Sequence, residues 1–217
     1  MRNILFVLSI SFVIPIFSYS QQFGVGIHSR LFPSVSKNIL NNNNYQVADV
    51  DNYLLTGLFV SFKTGDIAPW KFSLKYSFGQ KDVTGNKPHL NLYEPTKILD
   101  LYSFDLSVCY MINLFPKFKL SAGVMPGYYI AKLTEKHNDE KVFYEYKFNL
   151  TPIIDASYEV YDKVEINFLL MYSFEKYKIV KDYSYNPGGY QQTISGFDEF
   201  DFSGINLGLA VTYWVDL

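Results

Sequence analysis

From residue 23 onward, apolar and polar side chains alternate with a period of two in eight separate segments. They are FGVGIHSRLF (23–32), YLLTGLFVSFK (53–63), WKFSLKYSFG (70–79), LYSFDLSVCYMI (101–112), FKLSAGVMPGYYIAKL (118–133), VFYEYKFNLTPIIDASYEV (142–160), VEINFLLMYSFEKY (164–177) and INLGLAVTYWVDL (205–217). Successive side chains of a strand point to opposite faces, so each segment predicts a β-strand with two chemically distinct faces. In the fourth segment, Tyr102, Phe104, Leu106, Val108, Tyr110 and Ile112 oppose Ser103, Asp105, Ser107, Cys109 and Met111. In the last, Ile205, Leu207, Leu209, Val211, Tyr213, Val215 and Leu217 oppose Asn206, Gly208, Ala210, Thr212, Trp214 and Asp216. One row is bulky and often aromatic; the other is small, polar or charged.

The joints between segments also alternate. TGDIAP, NLFPK and YDK are short, whereas the NNNNY region, QKDVTGNKPHLNLYEPTKILD, TEKHNDEK and the run containing YSYNPGGYQQ are long. In an antiparallel meander, alternate turns lie at opposite ends. One end therefore carries four long loops and the other only tight turns, the asymmetry of outer-membrane barrels. The bulky row would face acyl chains, with aromatics at the headgroup levels, and backbone amides in hydrocarbon require the sheet to close. The expected fold is all-β: an eight-stranded antiparallel up-and-down transmembrane β-barrel, with short periplasmic turns and four longer extracellular loops. Pro126 and Pro152 fall in the bulky row and each removes a ladder donor. A bulge, or a strand portion standing clear of its neighbour, would accommodate them.

With the bulky row outside, the interior receives Arg30, Lys63, Lys71, Lys75, Lys119 and Lys147 together with Asp105, Glu145, Asp155, Glu165, Glu175 and Asp216. Six charges of each sign suit a narrow cylinder filled by side chains, because an unpaired buried charge is expensive. This balance predicts a packed polar interior more than an open channel.

The first twenty residues follow another rule. Arg2, the apolar stretch Ile4 to Phe17, and Ser18-Tyr19-Ser20 have the layout of a secretory signal peptide. The expected domains are a signal peptide, 1–20, and a barrel, 21–217. Among 217 residues there is one cysteine, Cys109, so no intrachain disulfide framework is available. A net charge of -2 gives no basic surface for nucleic acid.

Candidate chemistry is sparse. His28 points inward, and His89 and His137 fall in expected loops; there is no HExxH or close Cys/His cluster, so no metal site, cofactor or catalytic residue is assigned. Ser29 follows His28 but faces the opposite side, which rules out a nucleophile–base pair. The run 176–201 offers more for recognition. Tyr183, Tyr185, Tyr190, Phe197 and Phe200 surround the turn-forming Asn186-Pro187-Gly188-Gly189, giving a loop that either contacts a partner or glycan, or packs across the barrel mouth.

Taken together, SYSQQ, FGVGIHSRL, FKLSAGVMPGYYI and INLGLAVTYWV resemble the small outer-membrane barrels of Bacteroidetes-type bacteria, the porin-family or PorT-like barrel domain. That resemblance implies an integral outer-membrane location in a Gram-negative bacterium, outer-membrane lipid as the surroundings, and export and barrel-assembly machinery as partners in transit. Members of the group often end the last strand in phenylalanine or tryptophan, a position taken here by Leu217. The leading functional expectation is a non-enzymatic barrel, envelope-structural or binding another envelope or surface component through its loops. The alternatives are a narrow passive pore for small solutes, a soluble periplasmic barrel with an apolar ligand in its lumen, and a lipid-modifying barrel enzyme.

Overall fold

A computed structural model describes residues 20–41, 44–64, 69–83, 96–136, 140–185 and 192–217. The expected signal peptide lies outside these residues, apart from Ser20, which opens the first strand. The strands are β1 (Ser20–Asn41), β2 (Asn44–Thr64), β3 (Trp70–Asp82), β4 (Thr96–Phe115), β5 (Phe118–Lys136), β6 (Glu140–Tyr161), β7 (Val164–Ser173), β8 (Lys176–Tyr185), β9 (Gln192–Asp201) and β10 (Gly204–Asp216). Strands β7 and β8 are two halves of one stave, interrupted at Phe174 and Glu175; β9 and β10 are halves of another, interrupted at Phe202 and Ser203. Eight antiparallel staves result. The sheet closes where β1 pairs with β10, from Gln22 opposite Asp216 to Leu31 opposite Leu207.

Burial establishes which way the wall faces. Ile27, Leu58, Phe168 and Ile205 are each 60 % exposed or more, whereas Lys71, Lys75, Asp105 and Glu165 are all below 8 %. Bulky side chains turn outward and charges inward, the reverse of a soluble sandwich or of a barrel with a greasy lumen. The outward belt runs nine residues from Trp70 to Phe78 and eleven from Val164 to Phe174, which suits tilted strands crossing hydrocarbon. Aromatic pairs mark both edges. Phe78 meets Tyr102 at 5.0 Å and Tyr172 meets Phe174 at 4.8 Å toward the long-connection end. Trp70 meets Tyr110 at 5.3 Å toward the tight turns.

Beyond the upper girdle the pattern inverts. Inward positions become apolar: Phe32, Tyr53, Leu55, Leu99, Leu101, Leu133, Tyr177, Ile179, Phe200 and Phe202 form one buried cluster. Several outward positions become polar: Gln80 donates to Asp100 at 2.7 Å, Lys132 reaches Asp100 at 3.4 Å, and Lys176 reaches Asp201 at 2.8 Å. The reason is the solvent. Above the bilayer the outer face meets water, so the wall adopts the ordinary arrangement of greasy inside and polar outside. The uniformly polar interior expected from sequence is therefore confined to the membrane zone.

The expected long loops are likewise shortened by ladder. Residues 34–41 pair with 44–51, and 176–185 pair with 192–201, so four staves rise past the membrane as two hairpins.

Each proline in a ladder sits at a lapse. Pro33 and Asn52 drop out of the β1–β2 register, and Asn52 takes a positive φ of 56°. Pro126 sits where β4 and β5 leave residues 106–107 and 125–126 unpaired. Pro152 sits where the β6–β7 ladder stops at Ile153. Of the two possibilities raised by the sequence, strands standing clear of a neighbour is the one realised.

Gly57 illustrates how tightly the wall is drawn: a Cβ there would fall on the carbonyl oxygen of Tyr76 across the strand pair. Gly57→Ala is expected to lower barrel stability by about 1–3 kcal/mol, read as a lower urea midpoint in lipid vesicles and less of the fast-migrating unheated form on gels.

Candidate functional site

The barrel interior is built in tiers by the inward residues of successive strand rows. Nearest the tight turns, Glu165 of β7 collects several donors. Lys63 Nζ contacts both its oxygens at 2.6 and 2.8 Å, Lys119 Nζ lies at 3.0 Å, and the Trp214 indole N–H donates at 2.8 Å. Lys63 also stands 3.7 Å from the Trp214 ring centroid, a cation over an aromatic face. One row higher, Lys71 donates to Asp155 at 2.7 Å and to Asn167 at 3.2 Å, and Asn167 in turn donates to Thr212 at 3.2 Å. Only about 10 Å³ of void remains among Lys71, Lys75, Asp155 and Asn167, room for about one water. Below this tier a mouth of about 570 Å³, edged by Gln22, Asn113, Lys119 and Asp216, opens beneath Lys63.

Above comes a small apolar band, Cys109, Met125, Ile153, Leu169 and Met171, and then a second polar tier. Arg30 donates to Glu175 at 3.0 Å, to the Tyr129 hydroxyl at 2.8 Å and to Ser173; Tyr177 donates to Glu175 at 3.1 Å. The aromatic cluster closes over it. Charged groups therefore occlude the axis at two levels, and apolar rings fill the space above.

Of the residues expected inside, the structure joins Lys63, Lys119 and Glu165, then Lys71 and Asp155, then Arg30 and Glu175. Lys75 stands opposite Asp105 in register, and Asp105 accepts from Ser103 at 2.8 Å. Asp216 is placed differently: its side chain is 60 % exposed at the tight-turn rim, 3.0 Å from Lys163, because the inner row meets the open mouth there. Glu145 and Lys147 are half-buried on β6, beside a break in the wall. Phe200 is fully buried in the upper cluster rather than offered on a loop, since its parity turns it inward. Tyr190 and the side chains of Tyr183, Tyr185 and Phe197 lie outside the described residues. His28 is buried, 3.3 Å from Ser77. Among the described residues no three His, Cys, Asp or Glu side chains stand together as metal ligands.

The feature that strand-by-strand reading missed is the break itself. Among the described residues, β8 is laddered only to β9, and β6 above Ile153 only to β5. Two edges thus face each other across a seam that begins at the upper girdle. Its signal was Pro152. Lys147 Nζ crosses the seam to the carbonyl of Lys176 at 2.7 Å.

No family model matches the chain, and no curated protein matches it. Solved structures do. The crystal structure of the outer membrane protein OprG from Pseudomonas aeruginosa superposes with a TM-score of 0.61 at 14 % identity, over 92 % of this chain and 98 % of that one. A major outer membrane protein from Thermus thermophilus gives 0.53 at 9 % identity, over 89 % and 99 %. Ail, the attachment invasion locus protein of Yersinia pestis, gives 0.50 at 10 % identity, over 90 % and 99 %. The chain has the fold of small outer-membrane β-barrels. At such identities the likeness establishes architecture, and the outward apolar belt independently places that architecture in a membrane.

Glu165 is the acceptor on which the lower tier converges. Glu165→Gln is expected to cost about 3–5 kcal/mol, because it leaves two buried ammonium groups without their carboxylate. Combining it with Lys63→Met should restore part of the loss. Urea unfolding from lipid vesicles, followed by Trp214 fluorescence, measures both.

Proposed function

We propose that the protein is a non-enzymatic, passive conduit for small, largely apolar solutes, which leave the barrel sideways between β6 and β8. The carrying observation is the lapse of the β6–β7 ladder above Pro152, beyond which β6 and β8 share no ladder. The tiers of buried ion pairs oppose axial flow of ions. Above them the interior is packed with rings and aliphatic chains, which an apolar molecule would displace without stripping water from a charge. A solute held there meets charges below and the seam at its side. On the outer edge of the seam, Tyr146, Phe148 and Leu150 are more than half exposed, a surface continuous with the acyl region. In this reading the protein sits in outer-membrane lipid and passes through the export and barrel-assembly machinery on its way there. The porin-family or PorT-like kinship is part of the same proposal, carried by FGVGIHSRL, FKLSAGVMPGYYI and INLGLAVTYWV.

A bis-maleimide link between Tyr146→Cys and Lys178→Cys, in a Cys109→Ser background, tests the route. Entry of the apolar probe N-phenylnaphthylamine into expressing cells should fall to the level of cells lacking the protein, and planar bilayers should show no ion-conducting steps. Undiminished entry through the linked protein, or conductance altered by Lys71→Met, would overturn the reading.

A second reading, surface binding, is favoured by the β8–β9 hairpin. Its ten paired positions stand on Tyr177, Ile179 and Phe200, packed into the upper cluster, so the strand positions of Tyr183, Tyr185 and Phe197 belong to a braced stalk. If that stalk is an adhesive element, removing residues 183–194 abolishes attachment of expressing cells to glycan-coated surfaces while the heat-modifiable barrel persists. Unchanged attachment would exclude it.

A further inference from the structure

The inner lip of the seam carries a row of hydrogen-bond donors. On β6 the consecutive inward positions are Lys147, Asn149 and Thr151, about 6.6 Å apart along a strand. Asn149 and Thr151 are buried, at 8 % and 0 % exposure, and Asn149 Nδ2 and Thr151 Oγ1 have no hydrogen-bond partner. The other end of the Asn149 amide is engaged, its oxygen accepting from the Leu150 N–H at 2.9 Å; the free end is the donor. Lys147 meets a main-chain carbonyl across the seam rather than a carboxylate.

The outer lip, one residue out of phase, is Tyr146, Phe148 and Leu150, exposed by 56, 68 and 52 %. Across its thickness the seam therefore changes from hydrogen-bond donors to hydrocarbon. Asp105, the carboxylate in the same cross-strand row as Asn149, stands two strands away beyond Gly127, with Lys75 opposite it in register.

We infer that the β6–β8 seam is a binding site for single-chain amphiphiles with a carboxylate head, the head on Lys147, Asn149 and Thr151 and the tail along Tyr146, Phe148 and Leu150. An ammonium, an amide N–H and a hydroxyl in line satisfy two carboxylate oxygens by charge-assisted bonds. A carboxylate also displaces the Lys176 carbonyl as the partner of Lys147, so occupancy unfastens a side-chain bond that spans the seam. This inference rests on the lateral-conduit reading for its physiological sense but not for its test.

Calorimetry on the full chain in a neutral maltoside, with dodecanoate, dodecanol and dodecyltrimethylammonium as probes, decides it. Dodecanoate should bind at least about tenfold tighter than the trimethylammonium compound. Lys147→Met should weaken dodecanoate by about tenfold or more and leave dodecanol unchanged, while Lys147→Arg keeps dodecanoate binding. Asn149→Ala with Thr151→Val should weaken both dodecanoate and dodecanol. Equal binding of the anionic and cationic probes, or full dodecanoate affinity in a folded, heat-modifiable Lys147→Met protein, would overturn the site. If the linked Tyr146→Cys/Lys178→Cys protein passes N-phenylnaphthylamine unhindered while Lys147→Met still weakens dodecanoate, the conduit falls and the site stands.

Discussion

Hydrocarbon offers nothing to a peptide N–H or carbonyl, and the rest of this structure follows from that deficiency. Through the membrane zone, a sheet with outward Ile27, Leu58 and Phe168 must return to its first strand, and the ladder from Gln22–Asp216 to Leu31–Leu207 is that return. Closing eight staves leaves a bore too narrow for bulk water. The polar groups turned into it must then satisfy one another. Glu165 does so by gathering Lys63, Lys119 and the Trp214 N–H; Arg30 does so with Glu175, Tyr129 and Ser173.

The same rule explains why the wall changes character as it rises. Once the outer face meets water, its residues include Gln80, Lys132 and Lys176, and the inner face is free to be Tyr53, Leu99, Tyr177 and Phe202. Parity is unbroken through the transition in β4: Leu99, Leu101, Ser103 and Asp105 all point inward, and only their chemistry changes. The barrel thus has two cores, an ionic one within the membrane and a hydrophobic one above it. The second stiffens the hairpins that would otherwise be long loops.

This dual character sets what could be read from sequence. The eight crossings, the facing of each row and the members of the lower ionic tier were legible, because lipid imposes a strict period-two contrast on segments such as 101–112 and 164–174. The strand extensions were not. In them the contrast reverses sign, and Leu99 or Ile179 viewed beside the membrane pattern resembles the end of a strand rather than its continuation. Asp216 was assigned inside by parity alone, which carries no information about where the inner row reaches the open mouth. Phe200 was assigned to a loop by its neighbours, although its parity with Phe202 turns it into the upper core. Ion-pair partners such as Lys63 and Glu165, 102 residues apart, depend on register, which no local pattern supplies.

The seam is where these constraints meet. A proline inside hydrocarbon would leave the neighbouring carbonyl unpaired, a cost that the upper girdle mitigates because headgroups and water are near. Pro152 stands at that level, beside the last bonded pair of β6 and β7, and above it β8 is laddered to β9. An edge left unpaired for any other reason would be blunted, since bare strands invite association. Here the exposed Phe148 and Tyr146 remain on its outer side, and Asn149 and Thr151 keep unused hydrogen-bonding capacity on its inner side. A break that only relieved proline strain would require neither. Polar groups held buried without partners beside an accessible apolar surface are the chemistry of a place that is occupied by turns, and the bond from Lys147 to the Lys176 carbonyl is weak enough to be exchanged.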